Sequence, residues 1–425
     1  MNPLSKNRGF SKRAVSGIAI AIILLSVGFD HFLKPTTQRL HLGAEYYNIG
    51  LSLADGRGFS DPFGEPSGPT AWMAPAYPGL LAMLSLMLGA KARVAMAVVV
   101  LMTASLVVQA WTVYAIARLT AHRLRPIWAV VMYVAWVTAF YYWFFLLTSD
   151  VWLLSLLVSS ITLASVKYTL RAPLRPWVWG ILGGLSALTS PALGSAWGCL
   201  VGLFFLRDAP QRRKWICAVG IALCLVVPWT VRNALVFQRF IPTKSNLTYE
   251  AYQANVVDRD GIYDLSSMLP HPYNVPKLRF EYSTLGESAF IAKYGRLFWQ
   301  ELRSHPSQVL ARIANRALAA TVRYVPLSSS LQRGLEFNLL RIVYALPFAI
   351  MMLSLCLKAQ HRVVLRVLGF FWLCYLLPYI LVAFYARYFL PLAPLFGVTM
   401  FLGVDQGLDC WSRYRAGQPA PLRLS

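Results

Sequence analysis

Residues 127–166 read IWAVVMYVAWVTAFYYWFFLLTSDVWLLSLLVSSITLASV, two long apolar runs joined at a single carboxylate, Asp150. Apolar runs of this length call for membrane-spanning helices, because backbone polar groups in hydrocarbon must bond within their own segment. Asp150 is the one acidic side chain between positions 66 and 207. A carboxylate at the edge of lipid marks a functional position, because its charge is costly there. A competing local reading is that an acid at a helix N-terminus is stabilised by the helix dipole.

Outward from that pair the pattern recurs. The chain has 425 residues, 57% of them hydrophobic and 13% charged, too apolar for a soluble protein of this size. Spans are predicted at 14–29, 94–117, 127–147, 151–166, 177–188, 192–206, 215–230, 338–357, 363–383 and 388–404. The bulky Phe29-Asp30-His31-Phe32 after the first run argues against a cleaved signal peptide. The pair 177–188 and 192–206 is interrupted by Thr189-Ser190-Pro191. Each half is too short to cross squarely, so the two are expected to meet at an outward turn with a cavity above it.

The net charge of +23 comes from 40 basic and 17 acidic residues, and its positions speak against nucleic acid. Half of the basic residues fall in six short clusters, near positions 6–13, 118–125, 167–175, 207–214, 358–366 and 413–423. With every cluster cytoplasmic, both termini are inside and ten spans thread consistently. No basic face interleaved with exposed aromatics is present, so no nucleic-acid partner is expected. The apolar segment 72–88 would invert this threading if it crossed; with Pro75 and Pro78 it reads as a helix lying on the outer surface. The six cysteines lie in spans or at a cytoplasmic edge without metal-type spacing, which fits packing and not a disulfide framework.

Fold class follows: an all-α polytopic membrane protein of about ten spans, with surface helices in two outer loops. An N-terminal module covers 1–230, with its first outer loop at 30–93; a large outer loop covers 231–337; a three-span module and tail cover 338–425. Within the large loop, apolar positions such as Phe290, Ile291, Tyr294 and Phe298 have helical spacing, and these helices are candidates to lie on the bilayer.

The first outer loop is the densest stretch. Five acids (Asp30, Glu45, Asp55, Asp61 and Glu65) crowd into it among Gly, Pro and aromatic residues. Glu45 begins a short helical run in which Ile49 and Leu53 are expected to dock on the membrane, turning the carboxylate toward the cavity. The bland alternative is a solvated loop carboxylate. Outer-face cations are Arg232, Lys244 and Arg387, each able to meet phosphate, although an Arg at a helix end also snorkels to the interface. His31, His41, His271 and His305 are scattered and read as surface residues, and the aromatic stripe 140–145 reads as an interface belt.

Several motifs carry a resemblance. Glu45-x-x-x-Ile49, Gly56-Arg57-Gly58-Phe59-Ser60, Pro62-Phe63 and Gly68-Pro69-Thr70-Ala71-Trp72 with Pro75 and Tyr77-Pro78 resemble the first outer loop of GT-C membrane glycosyltransferases. The group it resembles holds the family 39 protein mannosyltransferases and the aminoarabinose transferase of lipid A modification. Ser149-Asp150, Pro228-Trp229-x-x-Arg232-Asn233, Pro242-x-x-Ser245-Asn246, Gly286-Glu287, His305-Pro306 and Arg387-Tyr388-x-x-Pro391-x-x-Pro394 follow in the family's order. One departure stands out: Leu42 occupies the position where better-known members carry an Asp, one helical turn before Glu45.

The resemblance implies a transferase that moves a monosaccharide from a polyprenyl-phosphate carrier to a glycan, lipid or protein acceptor, with inversion, on the outer face of a bacterial inner membrane. It implies Glu45 and Asp150 as catalytic; Arg232, Arg387 and Asn246, which fall in its motifs, and Lys244 and Tyr46 beside them are the candidates for substrate binding. Asp150 has three candidate roles: orienting the acceptor, holding a sugar hydroxyl or ligating a divalent cation. No His/Cys/Asp cluster in the sequence requires a metal, and no cofactor is assigned. Two other readings stay open, a lipid-linked sugar flippase and a non-catalytic scaffold of the same fold.

Overall fold

The computed structural model describes residues 39–140, 149–257, 260–263, 270–323, 335–356 and 362–415, with helical positions at Gly17, Ile20, Ala21, Ile22, Leu24, Ser26 and Gly28. Much of the expected first span, the end of the third, Asp30, His31, the N-terminal basic cluster and Arg423 lie outside the described residues.

The described chain is helical almost throughout. Two helices, α1 (Ala44–Ala54) and α2 (Ala76–Leu88), fall in the segment 30–93, predicted above as the first outer loop. The N-terminal membrane module follows: α3 (Lys91–Thr120), α4 (Ile127–Ala139), α5 (Val151–Thr169), α6 (Pro176–Thr189), α7 (Pro191–Arg207) and α8 (Arg212–Phe237). The segment 231–337, predicted above as the large outer loop, contributes α9 (Leu247–Tyr252), α10 (Pro276–Leu285), α11 (Glu287–Ser304) and α12 (Pro306–Leu318). Then come α13 (Leu335–Cys356), α14 (Arg362–Leu381), a 3-10 turn Ala386–Leu392 and α15 (Ala393–Arg415). Among the described residues, six helical segments are long and apolar enough to cross a membrane, and α2, α4 and α7 are shorter apolar helices. The chain is a multi-span membrane protein.

Small residues set the packing of the N-terminal module. A Cβ at Gly180 would stand 2.5 Å from Ile221 Cβ, one at Gly184 2.5 Å from Leu225 Cδ1, and one at Gly183 would enter the Trp197 ring. The glycine face of α6 therefore lets α7 and α8 approach to backbone distance, the usual basis of helix association in lipid. The break at Ser190 (φ −153°, ψ 127°) falls where Thr189-Ser190-Pro191 places it, with Pro191 opening α7. At the opposite end of the bundle, Asp405 accepts the backbone N–H groups of His122, Arg123 and Leu124 at 2.9, 2.8 and 2.6 Å, which fixes α15 against the α3–α4 turn.

The first outer loop differs from the expectation in one respect. Ile49 is fully buried against protein and does not dock on the membrane. A Cβ at Gly50 would lie 3.0 Å from Leu81 Cβ and 3.2 Å from the Pro78 carbonyl, so α1 and α2 pack closely and take up the apolar face. Between them the loop is irregular but tightly bonded. Buried Asp61 accepts from Arg57 at 2.6 Å, Ser52 at 3.1 Å and the backbone N–H groups of Ser67 and Gly68 at 2.8 and 3.1 Å.

The large outer loop also buries its apolar face on protein. Phe290 is fully buried and Tyr294 nearly so, packed on Tyr249 at ring-centroid distances of 5.3 Å each, not on the bilayer. A two-residue parallel pair joins β1 (Ile262–Tyr263) to β2 (Phe384–Tyr385), tying this loop to the turn between α14 and α15. Fully buried Arg316 of α12 donates to the carbonyls of Ile380 at 2.7 Å and Leu381 at 3.1 Å. These are the last carbonyls of α14, which lack intrahelical partners and sit at the negative end of its dipole.

Candidate active site

These joints enclose a cavity of about 580 Å³, bounded by the start of α1, Asp150 with the start of α5, the α6–α7 break, the 242–253 segment, His271 and the α14–α15 turn. Its size falls within the range of small-molecule sites. The expected outward turn of the α6–α7 pair is one wall, through Thr189, Ser190 and Pro191.

On one side stand Asp150, Tyr46 and Arg387. Asp150 occupies the N-cap position of α5, yet its carboxylate bonds no helix N–H, so capping does not account for it. The Tyr46 hydroxyl stands beside it. Burial pushes its carboxyl above the usual carboxylate range, while Arg387, the Tyr46 hydroxyl and Lys244 pull part of the way back. Tyr46 is buried and its phenol is raised well above its ordinary value, first by burial and then by the Asp150 charge, so it stays a neutral donor. Arg387 lies in the 3-10 turn directly after β2, with its guanidinium 5.5 and 5.9 Å from the Tyr385 and Tyr388 rings. The Tyr388 ring stacks on Tyr379 at 4.3 Å and lines the floor.

On the other side are Glu45, Lys244, Asn246, Glu250 and His271. Lys244 Nζ lies 3.4 Å from Glu250 Oε1, and Asn246 Nδ2 donates to the same oxygen at 2.9 Å. His271 Nε2 stands 3.5 Å from Glu45 Oε1. His271 is thus a wall of the cavity and not a surface residue, and His41 lines it too, whereas His305 pairs with Glu301 at 3.1 Å away from it. Burial holds the His271 imidazole below its ordinary pKa despite Glu45 and Glu250 nearby, so the ring is neutral at pH 7.

Six of the seven residues singled out from sequence therefore meet at one cavity: Glu45, Asp150, Lys244, Arg387, Tyr46 and Asn246. Arg232 does not. Its guanidinium donates to the carbonyls of Thr70 at 2.8 Å and Phe59 at 2.9 Å and lies 5.0 Å from the Trp229 ring. It fastens the first outer loop to the end of α8 and has no cavity face. Of the four described acids in that loop only Glu45 reaches the cavity; Asp61 is internal, and Asp55 and Glu65 pair outward with Arg57 and Arg279. Among the described residues no three His, Cys, Asp or Glu side chains converge as metal ligands. His271 and Arg316 were not legible as important in the sequence; the prolines flanking His271 mark it only as a turn residue.

No protein-family model matches the chain, and no curated protein matches it by sequence. Two solved structures do match by shape. Archaeal oligosaccharyltransferase AglB from Archaeoglobus fulgidus, in complex with an inhibitory peptide and a dolichol-phosphate, aligns over 97% of this chain with a TM-score of 0.50 and 15% identity. The chain has the GT-C fold. It spans about half, 53%, of the length of that oligosaccharyltransferase. ArnT from Cupriavidus metallidurans bound to undecaprenyl phosphate aligns over 95% of this chain and 79% of its own, with 15% identity and a TM-score of 0.37.

Proposed function

We propose that this GT-C chain is a membrane glycosyltransferase that takes a monosaccharide from a polyprenyl-phosphate carrier and passes it, with inversion, to an envelope acceptor on the outer face of the inner membrane. The observation that carries this reading is one cavity lined by three carboxylates, Glu45, Asp150 and the Lys244-paired Glu250, and by two cations, Arg387 and Lys244. A single-displacement transfer needs that set. The acceptor hydroxyl oxygen bonds the anomeric carbon as the bond from that carbon to the phosphate oxygen breaks. The hydroxyl proton passes to a carboxylate, and the lipid phosphate leaves with the electron pair. One base suffices when no covalent sugar–enzyme intermediate forms.

Glu45 is the proposed base, worth roughly 10²- to 10⁴-fold. Arg387 and Lys244 meet the growing charge on the leaving phosphate, an electrostatic contribution of at least similar size. Asp150, beside Tyr46, receives a sugar or acceptor hydroxyl. The upward shift of Asp150 favours a second assignment in which Asp150 is the base and Glu45 orients the acceptor.

Glu45→Gln and Asp150→Asn in proteoliposomes, with donor consumption and lipid movement both followed, test the whole reading. Turnover by the native protein, with the larger loss at Glu45→Gln, is the expected result. Lipid movement that persists in both variants without sugar transfer identifies a flippase. No turnover in any form identifies a scaffold.

A further inference from the structure

His271 is more constrained than a cavity-wall residue needs to be. The carbonyl of Pro270 before it accepts Tyr249 Oη and Gln253 Nε2, both at 3.0 Å. Its own carbonyl accepts the N–H groups of Asn274 and Val275 at 2.9 Å. The imidazole is boxed by Phe63, Trp72 and Tyr249 at centroid distances of 5.6, 5.7 and 6.1 Å. Nδ1 accepts the backbone N–H of Tyr273 at 3.2 Å. A nitrogen that accepts a backbone N–H carries no proton of its own, so in the neutral ring the proton sits on Nε2. That is the nitrogen facing Glu45.

We infer that His271 is a positioning residue for Glu45: the Tyr273 N–H selects the tautomer that places the proton on Nε2, which faces the Glu45 carboxylate at 3.5 Å and steadies it toward the cavity. This rests on the transferase reading with Glu45 as base. The packing divides the labour. The aromatic box and the clamped Pro270 set the ring, the backbone sets the tautomer, and the N–H sets the carboxylate rotamer. Glu45 sits in the first turn of α1, where its long side chain has several rotamers open to it. The charged groups around the pair are Glu250 and Lys244 from the α9 segment, with Asp150 and Arg387 across the cavity.

The test compares His271→Gln, whose side-chain amide keeps a donor near the Nε2 position, with His271→Phe, which keeps the ring in its aromatic box and removes the donor. For His271→Phe the expected result is a roughly 10-fold loss in kcat with little change in KM for the donor lipid, the scale of one polar contact to a charged group. His271→Gln should recover most of that loss. An unmoved kcat in His271→Phe, or no recovery in His271→Gln at equal thermal stability, overturns the inference while leaving transfer itself intact. Nitrogen NMR of histidine-labelled native protein in nanodiscs gives a readout independent of turnover. The Nε2–H tautomer is expected, and an Nδ1–H tautomer overturns the assignment even if the chain proves inactive.

Discussion

Glu287 accepts the backbone N–H of Ala71 at 2.8 Å, a bond between the first residue of α11 and a loop more than 200 positions earlier. The same carboxylate accepts the Thr70 and Tyr282 hydroxyls, the latter at 2.7 Å, so three donors converge on one buried group. The Gly68-Pro69-Thr70-Ala71-Trp72 stretch is thereby fixed to the large outer loop, and Trp72 and Met73 at its end become cavity wall.

Replacing Glu287 with Ala should therefore loosen both outer loops together. Three donors lose their acceptor in a buried place, which costs about 3 kcal/mol by the usual penalty for unsatisfied groups. A lower melting temperature in detergent, with faster proteolysis of both loops, is the expected outcome; a change confined to one loop would contradict the joint.

Arg232 and Arg387 separate by the kind of damage their loss does. Arg232→Ala should lower thermal stability by about 2–3 kcal/mol, because the Thr70 and Phe59 carbonyls lose their donor, yet leave KM for the donor lipid near the native value. Arg387→Gln should keep the fold and lose roughly 100-fold in kcat/KM, as expected for one preorganised charge-stabilising group. Steady-state kinetics beside thermal melts distinguish the two.

Asp150 sets a pH expectation. Its carboxyl is raised by burial and held partly down by Arg387. If its ionised form is needed, activity should fall at a pH above the ordinary carboxylate value of about 3.9. Removing the cation takes away what favours the anion, so the acid limb of Arg387→Gln should shift to higher pH. For stability the sign is opposite: a carboxyl raised in the folded state makes the fold more stable below its unfolded pKa, and that contribution is lost as pH rises through the folded value. A pH–rate profile of the two proteins and a pH series of native melts check both.

Gly183→Ala tests the close helix approach. The added methyl would enter the Trp197 ring on α7, an overpacking cost of about 1–3 kcal/mol. Gly198, where an added methyl would meet nothing within 4 Å, is the control and should accept Ala without loss. Equal melting temperatures for the two variants would refute the packing account.

Much of the fold is legible in the sequence because it depends on local composition. Apolar runs in the described regions coincide with helices, and Thr189-Ser190-Pro191 predicts the break that lines the cavity. Ile49, Phe290 and Tyr294 depart from expectation for one reason: an apolar stripe shows that a helix face is buried, not whether lipid or protein buries it. Arg232 departs because a guanidinium at a helix end has the same sequence signature whether it faces a phosphate or two carbonyls.

The sequence by itself determined the membrane class, the helical segments and the clustering of rare charges, since hydropathy and backbone bonding act over neighbouring residues. Tertiary structure alone decided that Glu45, Asp150, Lys244, Arg387 and His271 share one space while Arg232 and Asp61 do not. Carboxylates and guanidinium groups of one kind are chemically alike along a chain. Burial and through-space partners, supplied by segments hundreds of residues apart, are what separate a structural clasp from a reactive group.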